Sequence, residues 1–577
     1  MAEILNNQAL EAQRLQIVEA KKKGKLATLG VFAKFSGPGW LQSATTLGGG
    51  SLASALYLGV LGGFGFMWLQ PIAMILGIVM LAAISYVTLS INGKPMQAVN
   101  SQISPILGYG WALGSLVACM VFAMPQFALG VAAITQNFAA SAQAPSVGVE
   151  VLITAVLFVV AFAMVGMYAA GGKGVKFFEK IIKLSVAAIV VCFFGVVISL
   201  WWNGKIDWSA VFAGFVPNFS CLSEPSREFM AHISKLGEGG AKFWSDMIVS
   251  QQRDVVISAA AMAVGINMTF LFPYSMLKKG WNKDFRELAI FDLATGLFVP
   301  FLLATSCIVV ASATQFHAKP AEGLAISRIA GGELVPALVG GKAATPAPNL
   351  VKPYIALLDS RIEAALSKKG ESFAALPEPQ KDALRNALPM PEKEMAAMLV
   401  KRDASNLSET LAPLLGDDVA RYVFGLGVLG MAINAVLMNM LICGLCFAEI
   451  LGKGLNPKWQ LGGSAIIALS AVASVFFKGA KMWLVIHAGV IAMVLLPIAY
   501  GAFLVIMNSE KILGQERPSG GKRALWNALM CCSLAASSVA SLYVLWNKLG
   551  YIGPTVFAAF LALVVASNLL LKKSKKI

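Results

Sequence analysis

The sequence predicts an all-α polytopic membrane protein of about twelve transmembrane helices, and three observations carry that prediction. Of 577 residues, 57% are apolar and 13% are charged, about half the roughly 25% charge that a water-facing surface carries. Mean hydropathy is +0.72. The apolar residues, about 330 at about 20 per crossing, suffice for ten to a dozen spans, which excludes single-span receptors and monotopic enzymes. Their runs are unbroken rather than alternating with a two-residue period, which argues against an outer-membrane barrel.

Residues 1–34 form a basic N-terminal arm. It lacks the apolar core of a signal peptide, and its lysines follow the apolar positions, so a short cytoplasmic helix near anionic lipid is expected. Five spans fill 35–202, at 35–61, 66–90, 111–140, 149–169 and 178–201. An outer loop covers 203–254, spans six and seven (255–277 and 288–314) fill 255–316, and a long polar segment occupies 317–418. Spans eight to ten, at 419–448, 461–477 and 483–507, fill 419–509, and 510–577 holds a cytoplasmic loop, spans at 525–546 and 551–571, and a basic tail.

An even number of spans places both termini on one side. Basic residues crowd the N-terminal arm, the fourth connection (Lys173, Lys176), the sixth (Lys278, Lys279, Lys283, Arg286), the tenth (Lys511, Arg517, Lys522, Arg523) and the tail. About 25 of the 46 lie on this side, so both termini are expected in the cytoplasm, with the chain in a bacterial inner membrane. A net charge of +16 would suggest a nucleic-acid partner in a soluble protein. Here its location assigns it to topology, and the expected partners are the lipid bilayer and a small cation or organic solute.

Segment 317–418 is far longer than an ordinary loop. Helix-like stretches at 353–369 and 392–402, separated by proline-rich joints, predict a helical extracytoplasmic insert of nearly neutral charge. Of eight cysteines only Cys221 falls outside the predicted spans, so no extracellular disulfide framework is expected. Cys443 and Cys446 have metal-motif spacing, but no second pair or histidine completes a ligand set, and helix packing explains them as well.

Two spans look interrupted. The first reads Gly37-Pro38-Gly39-Trp40, then Thr45-Thr46-Leu47-Gly48-Gly49-Gly50-Ser51. Three consecutive glycines cost roughly 1 kcal/mol each inside a helix. The sixth contains Asn267-Met268-Thr269-Phe270-Leu271-Phe272-Pro273-Tyr274-Ser275, where Pro273 frees a carbonyl near Thr269. Glycines for close packing and a proline kink are the alternatives. Breaks five spans apart instead match inverted-repeat transporters, whose substrates bind where paired helices unwind.

On these residues the chain resembles the NRAMP family of divalent-metal transporters. Gly37-Pro38-Gly39, Phe178-Glu179-Lys180, Phe215-Val216-Pro217, Ile290-Phe291-Asp292, Leu411-Ala412-Pro413-Leu414-Leu415-Gly416, Leu496-Pro497 and Asn508-Ser509-Glu510-Lys511 carry the likeness. It implies a LeuT-type fold of two five-helix inverted repeats plus two C-terminal helices. The long insert lies outside the usual pattern.

The resemblance also exposes departures. The family's first-helix Asp-Pro-Gly-Asn falls on Gly48, Gly49, Gly50 and Ser51, and its sixth-helix Met-Pro-His on Phe272, Pro273 and Tyr274. Acidic positions of the proton route fall on Pro125 and Ala128, and an eighth-helix glutamine on Asn434. No carboxylate remains at either break, which disfavours tight binding of a bare divalent ion and removes the usual proton route. Asp292 and His487 are the remaining intramembrane ionisable candidates, for proton transfer or for structure.

Three readings follow. A partly hydrated, magnesium-like cation would be held by Thr45, Thr46, Ser51, Asn434 and carbonyls near Leu47 and Thr269, without a cofactor and without the usual proton coupling. Alternatively, Gly48 to Ser51 form an amide nest for an amino acid or other carboxylate, with Phe270, Phe272 and Tyr274 around its side chain. Third, the chain is a non-transporting sensor or assembly protein. No carboxylate pair, Ser-His-Asp set or HExxH sits at membrane depth to suggest an enzyme.

Overall fold

The computed structural model describes residues 2–91, 93–139, 145–402, 406, 417–476 and 481–574. The Leu411 to Gly416 motif lies outside them. Among the described residues twelve helices are long and apolar enough to cross a membrane. They include Leu69–Ile91, Pro105–Phe138, Val147–Ala170, Lys173–Trp202, Glu238–Lys278, Lys283–Phe316, Pro457–Phe476, Gly520–Leu549 and Ile552–Lys573.

Spans one and six are central: 89% of the apolar window of each is buried, against 17% for span four and none for span twelve. Small residues make this approach possible. A Cβ on Gly59 of span one would stand 2.7 Å from the Val309 carbonyl oxygen and the Ala313 nitrogen of span seven, so only glycine lets the two backbones meet.

Span six begins at Glu238, well before the expected 255. Polar residues disguised its first turns. Two of them bond to neighbouring segments: Gln252 Nε2 donates to the Leu61 carbonyl at 3.1 Å, and Arg253 Nε to that of Leu222 at 2.6 Å. The expected outer loop at 203–254 therefore ends in helix, and it also holds short helices Trp208–Ala213 and Arg227–Ile233.

The long insert is not purely helical. Two small hairpins, Arg328–Ala330 with Glu333–Val335 and Leu338–Val339 with Lys342–Ala343, precede helices Pro348–Leu366, Glu378–Ala387 and Met390–Leu399. The hairpins turn on Gly331-Gly332 and Gly340-Gly341, all four at positive φ between 60° and 80°, which is what a two-residue primed turn demands. The insert docks on the membrane part through a buried cluster. Arg361 grips Glu392 with two hydrogen bonds, Nε at 2.6 Å and Nη2 at 3.0 Å, while Trp244 of span six donates to the same carboxylate. Tyr57 of span one donates to the Arg402 carbonyl at 2.9 Å.

At the other end, the N-terminal arm is helical over Ala2–Lys23 and Lys25–Phe35. It is pinned to the connection between spans six and seven by Arg14–Asp284 and Lys21–Glu287 ion pairs, each 2.7 Å.

Candidate functional site

Both expected breaks exist. Span one consists of Pro38–Thr46 and Gly49–Gly62, joined through Leu47 and an extended Gly48 (φ −103°, ψ −177°). Span six consists of Glu238–Ala263 and Ile266–Lys278. Its opening falls at Val264 and Gly265, whose extended backbones (φ −143°, ψ 103° and φ −84°, ψ 164°) stop the helix. Pro273 was expected to make this break, yet it lies inside the second half-helix. A β-branched residue followed by glycine interrupts the helix, whereas the proline is absorbed as membrane helices commonly absorb it.

The two breaks face each other across a cavity of about 30 Å³. Span one supplies Thr45, Thr46, Gly48 and Gly50; span six supplies Ala261, Met262, Gly265, Asn267 and Met268. Phe122 and Gln126 of span three and Ala435 and Asn439 of span eight close it. One water needs roughly 10–15 Å³ of such space, so there is room for about two waters or one bare ion.

Polar groups around the cavity hold one another. The Thr46 hydroxyl reaches the Ala263 carbonyl at 2.8 Å and the Met268 sulfur at 3.1 Å. Asn267 Nδ2 donates to Asn439 Oδ1 at 3.1 Å, and Asn267 Oδ1 accepts from the Met268 amide at 3.0 Å. Asn439 Nδ2 donates to the Ala435 carbonyl. The Gly49 amide donates to Gln126 Oε1 at 2.9 Å, so the first amide of the expected nest is already occupied.

Of the sequence-predicted residues, Thr45, Thr46, Gly48 and Gly50 line the cavity. Leu47, Gly49 and Ser51 shape the break instead, the Ser51 hydroxyl donating to the Thr46 carbonyl. The aromatic set is displaced because the sixth-span break lies upstream of it. Thr269 accepts from Trp111 Nε1 at 2.9 Å, Phe270 stacks on Tyr274 at 4.6 Å, and Phe272 is fully buried in the helix core away from the cavity. Asn434 turns to span five, donating to Ser185 at 2.9 Å; Asn439, a turn further along span eight, takes the cavity position. Sequence reasoning missed Gln126, Met262, Asn267, Met268 and Asn439. The available signal was Val264-Gly265, which placed the break between the two methionines.

Asp292 is buried and its Oδ2 accepts from the Gly37 and Gly39 amides at 3.1 and 2.7 Å. It caps the first half of span one, while Arg286, six residues earlier, pairs with Glu516 at 2.9 Å. Beside this cap, Glu179 pairs with Lys279 at 3.1 Å and Lys183 donates to the Ser36 carbonyl at 2.7 Å. His487 is exposed on span ten and does not line the cavity. Cys443 and Cys446 are buried free thiols. Among the described residues, no three His, Cys, Asp or Glu side chains gather as a metal site.

The family model described as natural resistance-associated macrophage protein-like matches residues 39–345 and 392–547. The chain belongs to this NRAMP family. Its fold is the LeuT-type one of the family, as comparison with solved structures shows. A single-residue mutant of the Eremococcus coleocola manganese transporter superposes with a TM-score of 0.60 at 11% identity, covering 94% of this chain and 96% of that one. The same transporter in complex with an aromatic bis-isothiourea compound gives 0.59 at 11% identity, covering 95% and 96%. No curated protein matches the chain. Gly48, which the resemblance aligns with the family's aspartate, lines the cavity, whereas Phe272, which it aligns with the family's methionine, does not.

Proposed function

We propose that the chain is a membrane carrier that moves a metal cation by alternating access, binding it between the broken first and sixth spans. The observation that carries this reading is the cavity itself. It lies where two half-helix pairs meet in the most buried part of the bundle and is lined by neutral oxygen and sulfur donors. Family membership and the likeness to solved manganese transporters support a cation as cargo. We place the chain in a bacterial inner membrane with both termini cytoplasmic, on the basic-residue bias of the connections. The insert is then an external module seated over the outer ends of spans one and six.

Transport proceeds here without the family's proton route, because no ionisable side chain among the described residues lines the cavity. A magnesium ion keeping several waters fits less well, since about 30 Å³ holds about two. A carboxylate solute also fits less well, because the Gly49 amide is taken by Gln126.

The test is uptake into proteoliposomes with manganese, magnesium, silver(I) and an amino-acid mixture in parallel. Cation uptake that falls at least tenfold in Asn267→Ala or Asn439→Ala supports the reading. Amino-acid uptake with no cation flux, or no flux at all from folded protein, refutes it.

A further inference from the structure

Resting on that reading of the cavity, we propose that the cargo is a soft, singly charged cation of the copper(I) or silver(I) class, held by the thioethers of Met262 and Met268.

The two methionines bracket the Val264-Gly265 opening and both line the cavity. The Met262 sulfur lies against Gly50, where any Cβ would collide with it, so the glycine that replaces side-chain bulk in span one makes room for this sulfur. The Met268 sulfur is 3.1 Å from the Thr46 hydroxyl. That hydroxyl also reaches the Ala263 carbonyl at 2.8 Å, so an ion can take the sulfur and leave the threonine with a partner.

Each side-chain amide oxygen at the cavity already accepts one hydrogen bond, which leaves it one lone pair. Gln126 Oε1 receives the Gly49 amide, Asn267 Oδ1 the Met268 amide, and Asn439 Oδ1 the Asn267 amide. An ion entering as the structure stands finds its readiest lone pairs on sulfur, and thioethers select soft ions over magnesium or manganese.

Charge points the same way. Among the described residues lining the cavity none is charged, so nothing there neutralises the cargo. The cost of burying an ion grows with the square of its charge, so a monovalent ion carries about a quarter of the penalty of a divalent one of like size. Size agrees as well, because soft monovalent ions shed water readily and the cavity suits a bare ion. Coordination by a neutral thioether displaces no proton, so binding at this site is independent of pH, unlike binding to thiols, imidazoles or carboxylates.

The experiment uses the full chain in proteoliposomes, with silver(I), copper(I) kept reduced by ascorbate, manganese and magnesium supplied separately. Expected is silver(I) and copper(I) uptake, unchanged between pH 6 and 8, that falls at least tenfold in Met262→Leu and in Met268→Leu. Copper-edge X-ray absorption on the loaded wild-type protein should show sulfur neighbours, a readout that does not depend on the variants folding. Manganese or magnesium flux without silver(I) or copper(I) flux overturns the soft-cation assignment and leaves the cation carrier standing. No cation flux from folded protein overturns both. A copper shell of oxygen and nitrogen alone, or undiminished silver(I) uptake in folded Met262→Leu/Met268→Leu protein, overturns the role of the sulfurs.

Discussion

Replacing Asp292 separates a cap from a proton carrier. Its Oδ2 takes the Gly37 and Gly39 amides at 3.1 and 2.7 Å, both at the start of the first half of span one. Hydrogen bonds to a charged group contribute about 1.5–3 kcal/mol each, and a buried donor left without a partner costs about 1–3 kcal/mol. Asp292→Ala orphans two buried amides and should lower stability by about 3 kcal/mol, less the recovered cost of burying a carboxylate. Asp292→Asn keeps a carbonyl oxygen in the same place and should lose only about 1 kcal/mol. Thermal unfolding in detergent should therefore rank wild type, Asn, then Ala, and cation flux by the Asn variant should stay within a few-fold of wild type with an unchanged pH profile. A folded Asp292→Asn protein of the expected stability whose cation flux falls more than tenfold would refute the capping argument and give the carboxylate itself a part in transport.

Three further outcomes are expected. Arg361→Ala leaves the buried Glu392 carboxylate with Trp244 alone, and breaking a buried pair costs about 3–5 kcal/mol; limited proteolysis should then cut the insert well before the membrane part. Burial beside the Tyr57 ring pushes the Lys401 ammonium down to about 7 from an ordinary 10.5. Between those values the unfolded chain holds a proton that the folded chain has released, so stability should rise with pH through that window, and Lys401→Met should flatten the rise in hydrogen exchange of the insert. Gly59→Val forces side-chain atoms into the Val309 and Ala313 backbone; it should separate spans one and seven and lower the melting temperature more than Ala53→Val on the same helix, and equal effects would count against backbone contact as the reason.

Composition and the run lengths of apolar residues made the twelve spans legible, because lipid leaves helices as nearly the only way to satisfy the backbone. Span six shows where that reasoning stops. Gln252 and Arg253 read as loop until Leu61 and Leu222 are seen accepting their hydrogens. The same limit governs the insert, where paired glycines marked hairpins that proline spacing concealed. At the site, the triple glycine of span one pointed to the break, which falls at Leu47 and Gly48, while Gly49 and Gly50 open the second half-helix. In span six the stronger-looking breaker misled: a proline forfeits one hydrogen bond and is tolerated, whereas Val264-Gly265 adopts two extended conformations in succession. Moving the break from Pro273 to Gly265 turns the helix so that Asn267 and Met268 replace Phe272 and Tyr274 at the opening. Without the carboxylate that the resemblance expects at Gly48, the break of span one does not leave an apolar cavity. It leaves a neutral one whose sulfur donors come from two positions flanking a valine and a glycine, and the charge that such a site tolerates is set by what is absent from it.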